Sequence, residues 1–125
     1  MRPLRVITLC AAVALLAACG LPRDPESTLR RVSGGTLRVG VTEHDPWVVL
    51  GENGPRGVEV ELVERFAAEI GADVEWVEGG LEELGGALHV REIDLLIAGL
   101  TSRSGVASEG ALTHPYLTTQ VVIAV

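Results

Sequence analysis

Residues 58–77 read VEVELVERFAAEIGADVEWV, and the spacing of their apolar residues changes once along the stretch. Val58, Leu62, Val63, Phe66, Ala67 and Ile70 recur at helical intervals, while Glu61, Glu64, Arg65 and Glu69 occupy the other side. Gly71 is placed to end that helix, because glycine takes the left-handed conformation of a C-terminal cap at little cost. Asp73 to Val77, containing Trp76, then reads as a strand. Working upstream, Thr36 to Thr42 (TLRVGVT) alternates apolar with small or polar residues, the period of a strand. A loop over Glu43 to Trp47 and a glycine-rich turn from Gly51 to Gly57 join it to the helix. Downstream, Gly79-Gly80 leads into a weaker helix from about Leu81 to Arg91, with Leu81, Leu84, Leu88 and Val90 inward. Its Gly85-Gly86 pair costs helix propensity, on the order of 1 kcal/mol per glycine. Ile93 to Ala98 (IDLLIA) is nearly all apolar, as a parallel strand covered on both faces should be. Strand, helix, strand, helix, strand predicts an α/β wind with right-handed crossovers.

The amino terminus carries a different signal. Arg2 and Arg5 precede an apolar run, Val6 to Ala18, and Leu16-Ala17-Ala18-Cys19 follows it. Basic, apolar and small-residue regions in that order predict a secretory leader over residues 1–18. The run is shorter than the roughly 20 apolar residues that span a bilayer. Leu-Ala-Ala-Cys-Gly resembles the lipobox of bacterial lipoproteins, which implies cleavage before Cys19 and lipidation of that residue. Cys10 leaves with the leader, so no cysteine pair remains and the domain must be held by packing. Residues 19–35, with Pro22 and Pro25, are expected to form a flexible tether. The formal charge is −7, and losing Arg2 and Arg5 makes the remainder more acidic. Such a chain repels phosphate backbones, so nucleic acid is not an expected partner, and a membrane anchor has to be acyl rather than polybasic.

Several short motifs, in order, resemble the family 3 bacterial solute-binding proteins. They are Leu37-Arg-Val-Gly-Val41, Pro46-Trp47, Gly57-Val-Glu-Val-Glu-Leu62, Ile93 to Thr101, and His114-Pro115-Tyr116. The resemblance covers residues 36–125 and implies the first lobe of a periplasmic-binding-protein type II fold. That lobe is a three-layer α/β/α sandwich, incomplete without a second lobe and a returning segment. Residues 36–116 would be the lobe, and the strand-like residues 117–125 would begin the crossing to the second one. The family's mechanism is a clamp, with solute contacts from loops at the carboxyl ends of the strands. Those loops are Glu43–Trp47, Gly79–Leu81 and Gly99–Ser104.

Each loop carries candidate solute-binding residues with a plainer alternative beside them. Trp47 either packs against a solute or covers the sheet edge. Glu43, His44 and Asp45 either present acceptors to a cationic group or form a solvated loop. Gly99, Thr101, Ser102 and Arg103 offer backbone amides, hydroxyls and a guanidinium to an anionic or carbonyl group, although Arg103 also reads as a surface arginine. Glu59 and Glu61 lie in the first helical turn, where the macrodipole favours acids without any ligand. The resemblance places a carboxylate-gripping arginine where this chain has Val106, and an aromatic where it has Leu81. Trp76, mid-strand, is expected in the core.

His44, His89 and His114 lack metal-site spacing, so neither a metal nor another cofactor is expected. No nucleophile elbow, phosphate loop or triad order is visible, and the chain is expected to be non-catalytic. The expected function is the lipid-anchored solute-binding component of an ABC-type importer, on the periplasmic or outer face of the cell membrane. Its partners would be a small polar solute such as an amino acid, the membrane and a permease. The alternatives are a sensory or regulatory module, such as stands at the front of cell-wall lytic transglycosylases, and a scaffold lipoprotein. One lobe on its own is expected to bind solute weakly or not at all.

Overall fold

The computed structural model describes residue 24 and residues 26–118, and contacts divide the chain into two units after Arg31. The expected leader, Cys19 and residues 119–125 of the expected crossing strand lie outside the described residues, and residues 117–118, where that strand was expected to begin, are not in a strand. In the first unit the Asp24 carboxylate accepts the Thr28 and Arg30 amides at 2.7 and 3.3 Å. That capping opens a short helix, α1 (Thr28–Val32). The end of the expected tether is therefore ordered. Val32 is buried in the core of the second unit, and the Gly34 amide donates to the Ile70 carbonyl at 3.0 Å.

The second unit is built on β1 (Thr36–Val41), α2 (Val58–Ile70), β2 (Asp73–Glu78), α3 (Leu81–His89) and β3 (Leu95–Ile97), followed by a 3-10 turn at Gly105–Ser108. The strands form one parallel sheet in the order β2-β1-β3. Thr36 pairs with Asp73 at one end of β1, and Val41 with both Glu78 and Ile97 at the other. Alternation along β1 gives the sheet two apolar faces. Leu37, Val39 and Val41 meet Val60, Val63 and Ala67 of α2, joined by Trp76 of β2 and Ile97 of β3. Trp76, expected in the core, is partly buried against it. On the other face Leu84 of α3 packs with Ile93 and Leu96. Gly40 lies beneath this second cluster, where a Cβ would come within 2.6 Å of Ile93 Cδ1. A sheet with a helix on each face is the three-layer arrangement that the family resemblance implied.

The helices differ from their expected faces. In α2 the buried residues are Glu59, Val60, Val63 and Ala67, whereas Val58, Leu62 and Phe66 are 45, 44 and 41 % exposed. The apolar residues of α2 cover an arc wider than one sheet face can bury, and periodicity does not say which edge of the arc docks. Val60 escaped the sequence reading because it stands between two glutamates. In α3, Val90 follows the last turn and is exposed, because Arg91 adopts a positive φ of 65° and ends the helix.

At the amino end of the sheet Arg38 and Asp94 form a bidentate ion pair. Arg38 Nε donates to Asp94 Oδ2 at 3.1 Å and Nη2 to Oδ1 at 2.9 Å, with the Asp94 side chain 2 % exposed. The Asp94 hydrogen bond, opposed by partial burial and aided by the nearby acids, raises the Arg38 pKa. The Asp94 amide also donates to the Arg38 carbonyl at 2.8 Å and the Arg38 amide to Asp94 Oδ2 at 3.1 Å, which fixes the register of β3 against β1.

Candidate functional site

Because β1 sends one connection to β2 and lies beside β3 on its other side, the sheet reverses its winding between β1 and β3. The crevice outside the carboxyl ends of those two strands is where an open α/β sheet places a ligand. The loops after them meet there. His44 Nδ1 lies 2.6 Å from the Ala98 carbonyl oxygen, and the Thr42 amide donates to the Ile97 carbonyl at 3.4 Å. The Thr42 hydroxyl donates to the Gly79 carbonyl at 2.6 Å, which brings the loop after β2 to the same rim. Gly99, at φ 62°, passes between His44 and Trp47, and a Cβ there would lie 2.5 Å from Trp47 Cδ1 and 2.6 Å from His44 Nδ1. Only glycine satisfies both the backbone angle and the space.

Trp47 is held by its backbone. Its amide donates to the His44 carbonyl at 2.7 Å, its carbonyl accepts the Glu59 amide at 3.1 Å, and the next residue, Val48, is fully buried. Pro46 and Trp47 carbonyls thereby take the first amides of α2, so the positive end of that helix is already occupied. Gly57, at φ 133°, permits this approach, since a Cβ would collide with the Trp47 carbonyl. The half-buried Trp47 ring meets Tyr116 edge-on, with centroids 6.2 Å apart and planes at 74°.

Beneath this pair lies a residue that the sequence reading treated as a simple first-turn acid. Glu59 is 7 % exposed, and both its carboxylate oxygens are engaged. Oε2 accepts the Gly99 amide at 2.8 Å and Oε1 accepts the Tyr116 hydroxyl at 2.6 Å. Burial, followed by this bond and the charge of Glu59, pushes the Tyr116 phenol well above its ordinary pKa. The signal available in the sequence was positional. A helix that begins immediately after Gly57 starts at the rim, and its first acid stands against the loops rather than the solvent.

The other candidates separate into two groups. Glu43, Asp45, Ser102 and Arg103 are exposed on the loops of the rim, and Arg103 forms no ion pair among the described residues. The amides of the 99–104 loop are less available than expected. Those of Gly99, Thr101, Arg103 and Ser104 donate respectively to Glu59, the Ser104 hydroxyl, the Thr101 hydroxyl and the Thr101 carbonyl. A serine-threonine turn satisfies itself before it meets a ligand. Val106 packs into the second core against Gly85, whose absent side chain leaves room for it, and Leu81 joins the same cluster. Val106, where the resemblance implied a carboxylate-gripping arginine, is an apolar packing residue.

Comparisons with known proteins agree with this architecture. The profile of the bacterial extracellular solute-binding proteins, family 3, matches residues 37–125. A membrane-bound lytic murein transglycosylase F of Vibrio parahaemolyticus is 32% identical over 122 residues, which cover 94% of this chain and 23% of the relative. The chain thus spans about a quarter of the length of the curated relatives it first matches. Among solved structures, an ancestral cationic amino acid solute-binding protein superposes with a TM-score of 0.55 at 32% identity, over 60% of this chain and 34% of that one. An ancestral cyclohexadienyl dehydratase matches in fold alone, with a TM-score of 0.62 at 24% identity over 82% of this chain and 42% of the other. The expectation of a non-catalytic protein is corrected here: the curated relatives are named as enzymes, and the similarity falls on a part of them that resembles solute-binding proteins. Membership of an extracellular family makes this an exported protein whose relatives bind solutes. From its profile match, its parallel sheet and the loops gathered at one rim, the chain belongs to the bacterial extracellular solute-binding proteins, family 3.

Proposed function

We propose that this chain is the solute-sensing module of an exported, lipid-anchored protein of the lytic murein transglycosylase F kind, and that its rim takes a small polar solute bearing an amino group. The observation that carries this reading is the meeting of the β1 and β3 loops at the switch point, with Trp47 set between Gly99 and Tyr116. In this arrangement Trp47 offers an apolar face, Glu43 and Asp45 attract a cationic group, and Ser102 and Arg103 are the exposed groups left to meet a carboxylate. Similarity to the named transglycosylases supports the regulatory setting, and the lipobox at Cys19 together with their membrane-bound description supports the anchor. The second reading, a receptor delivering solute to an ABC-type permease, is favoured by the likeness to a cationic amino acid binding protein.

Calorimetric titration with arginine, other amino acids, polyamines and organic acids tests the module. A closed clamp of micromolar affinity corresponds to about 8 kcal/mol, and half of that from one lobe corresponds to a dissociation constant of about 1 mM. Saturable binding of an amino-bearing solute in that range, abolished in Trp47→Ala and weakened in Asp45→Ala, is the expected result. No binding of any solute, or binding indifferent to both substitutions, would overturn the proposal.

A further inference from the structure

We infer that Glu59 is a positioning residue of the rim, a buried two-handed tie that holds the Gly99 loop with one oxygen and the Trp47–Tyr116 pair with the other. This rests on reading the rim as the solute site and deepens it, because the residue that would set the geometry of the site need not touch the solute. A carboxylate taken out of water is costly unless its oxygens are hydrogen-bonded. Glu59 meets that condition with donors 40 and 57 residues away in sequence. The two ordinary reasons for an acid in a first turn do not account for its burial. Glu61, in the same turn, serves the macrodipole from solvent and sits 3.9 Å from Arg65. Capping is not its task either, since the amides at the start of α2 bond to the Pro46 and Trp47 carbonyls.

The contacts form a closed chain of restraint. Gly99 is wedged between His44 and Trp47, Trp47 meets the edge of Tyr116, and Glu59 bonds both Gly99 and Tyr116. Tyr116 is 52 % exposed, so its hydroxyl anchor rather than packing fixes the ring. Removing the carboxylate would release the ligand-facing loop and the aromatic wall together.

Tyr116 is the sole tyrosine, so its ionisation is read directly from ultraviolet absorbance, with no need for a solute. Glu59→Gln keeps the shape: its carbonyl can accept from Gly99 and its amide can donate to the phenol oxygen, but the charge is gone. The expected result in the full chain is that Glu59→Gln lowers the Tyr116 midpoint by about one pH unit or more while Gly99 amide exchange stays slow. Glu59→Ala should accelerate Gly99 exchange about tenfold or more, and in a Trp76→Phe background shift Trp47 emission to longer wavelength. Equal behaviour of the two variants, with Gly99 exchange and Tyr116 titration unchanged from the parent, would overturn the inference. Should Glu59→Ala fail to fold, Tyr116→Phe decides in its place. Red-shifted Trp47 emission supports the tie, and unchanged emission overturns it. Since none of these readouts involves a ligand, they fail or succeed independently of the solute titration.

Discussion

A phenol and a carboxylate share one proton-mediated contact at the rim, and its consequences are measurable at the level of single residues. Tyr116 ionises less readily when folded than when unfolded, through burial and through the Glu59 charge. The folded state therefore keeps this proton longer. The stabilising contribution is complete below the unfolded phenol pKa of about 10 and declines as pH rises beyond it. Urea midpoints measured between pH 8 and about pH 11 should fall more steeply for the parent than for Tyr116→Phe. The difference will be modest, because Tyr116 is half exposed and water screens it. Parallel slopes for the two proteins would show that the phenol does not carry the effect.

At the scale of elements, α3 shows how two adjacent glycines can have opposite meanings. Gly85 is buried where the 3-10 turn crosses the helix, and a Cβ would lie 2.9 Å from Val106 Cγ1. Gly86 is exposed, with nothing within 4 Å of its would-be Cβ. Gly86→Ala should raise stability by about 0.5–1 kcal/mol, the helix-propensity difference. Gly85→Ala gains the same propensity but crowds a β-branched neighbour, at a cost of about 1–3 kcal/mol. Urea denaturation should therefore find Gly86→Ala more stable than the parent and Gly85→Ala less stable. The pair read in sequence only as a weakness of the helix. Likewise α2 is legible as a helix from Val58 to Ile70 with its apolar residues on one side, yet within that side the structure buries Val63 and Ala67 and leaves Val58, Leu62 and Phe66 exposed.

For the whole molecule, the acyl anchor proposed at Cys19 decides where the rim works. Cys19→Ala should abolish incorporation of labelled palmitate and move the protein from the membrane pellet to the soluble exported fraction, whereas an unlabelled, membrane-free parent would refute the anchor. The order of strands and helices and their parallel wind were legible in the residue pattern alone. Those follow from local periods of two and about 3.6, from glycine stops, and from a right-handed crossover rule that needs no coordinates. The same pattern puts Trp47, Asp45 and Arg103 on loops after strands, and the family resemblance made those loops a candidate rim. What each side chain meets follows from the folded arrangement alone. It buried Glu59 and Val60, turned Phe66 outward, packed Val106 against Gly85, and engaged the amides of Gly99, Thr101, Arg103 and Ser104 within the chain. Which edge of an apolar arc docks, and which donor finds a buried carboxylate, depends on residues 40 or more positions apart. No local pattern encodes those meetings; they exist only once the sheet has brought the loops together.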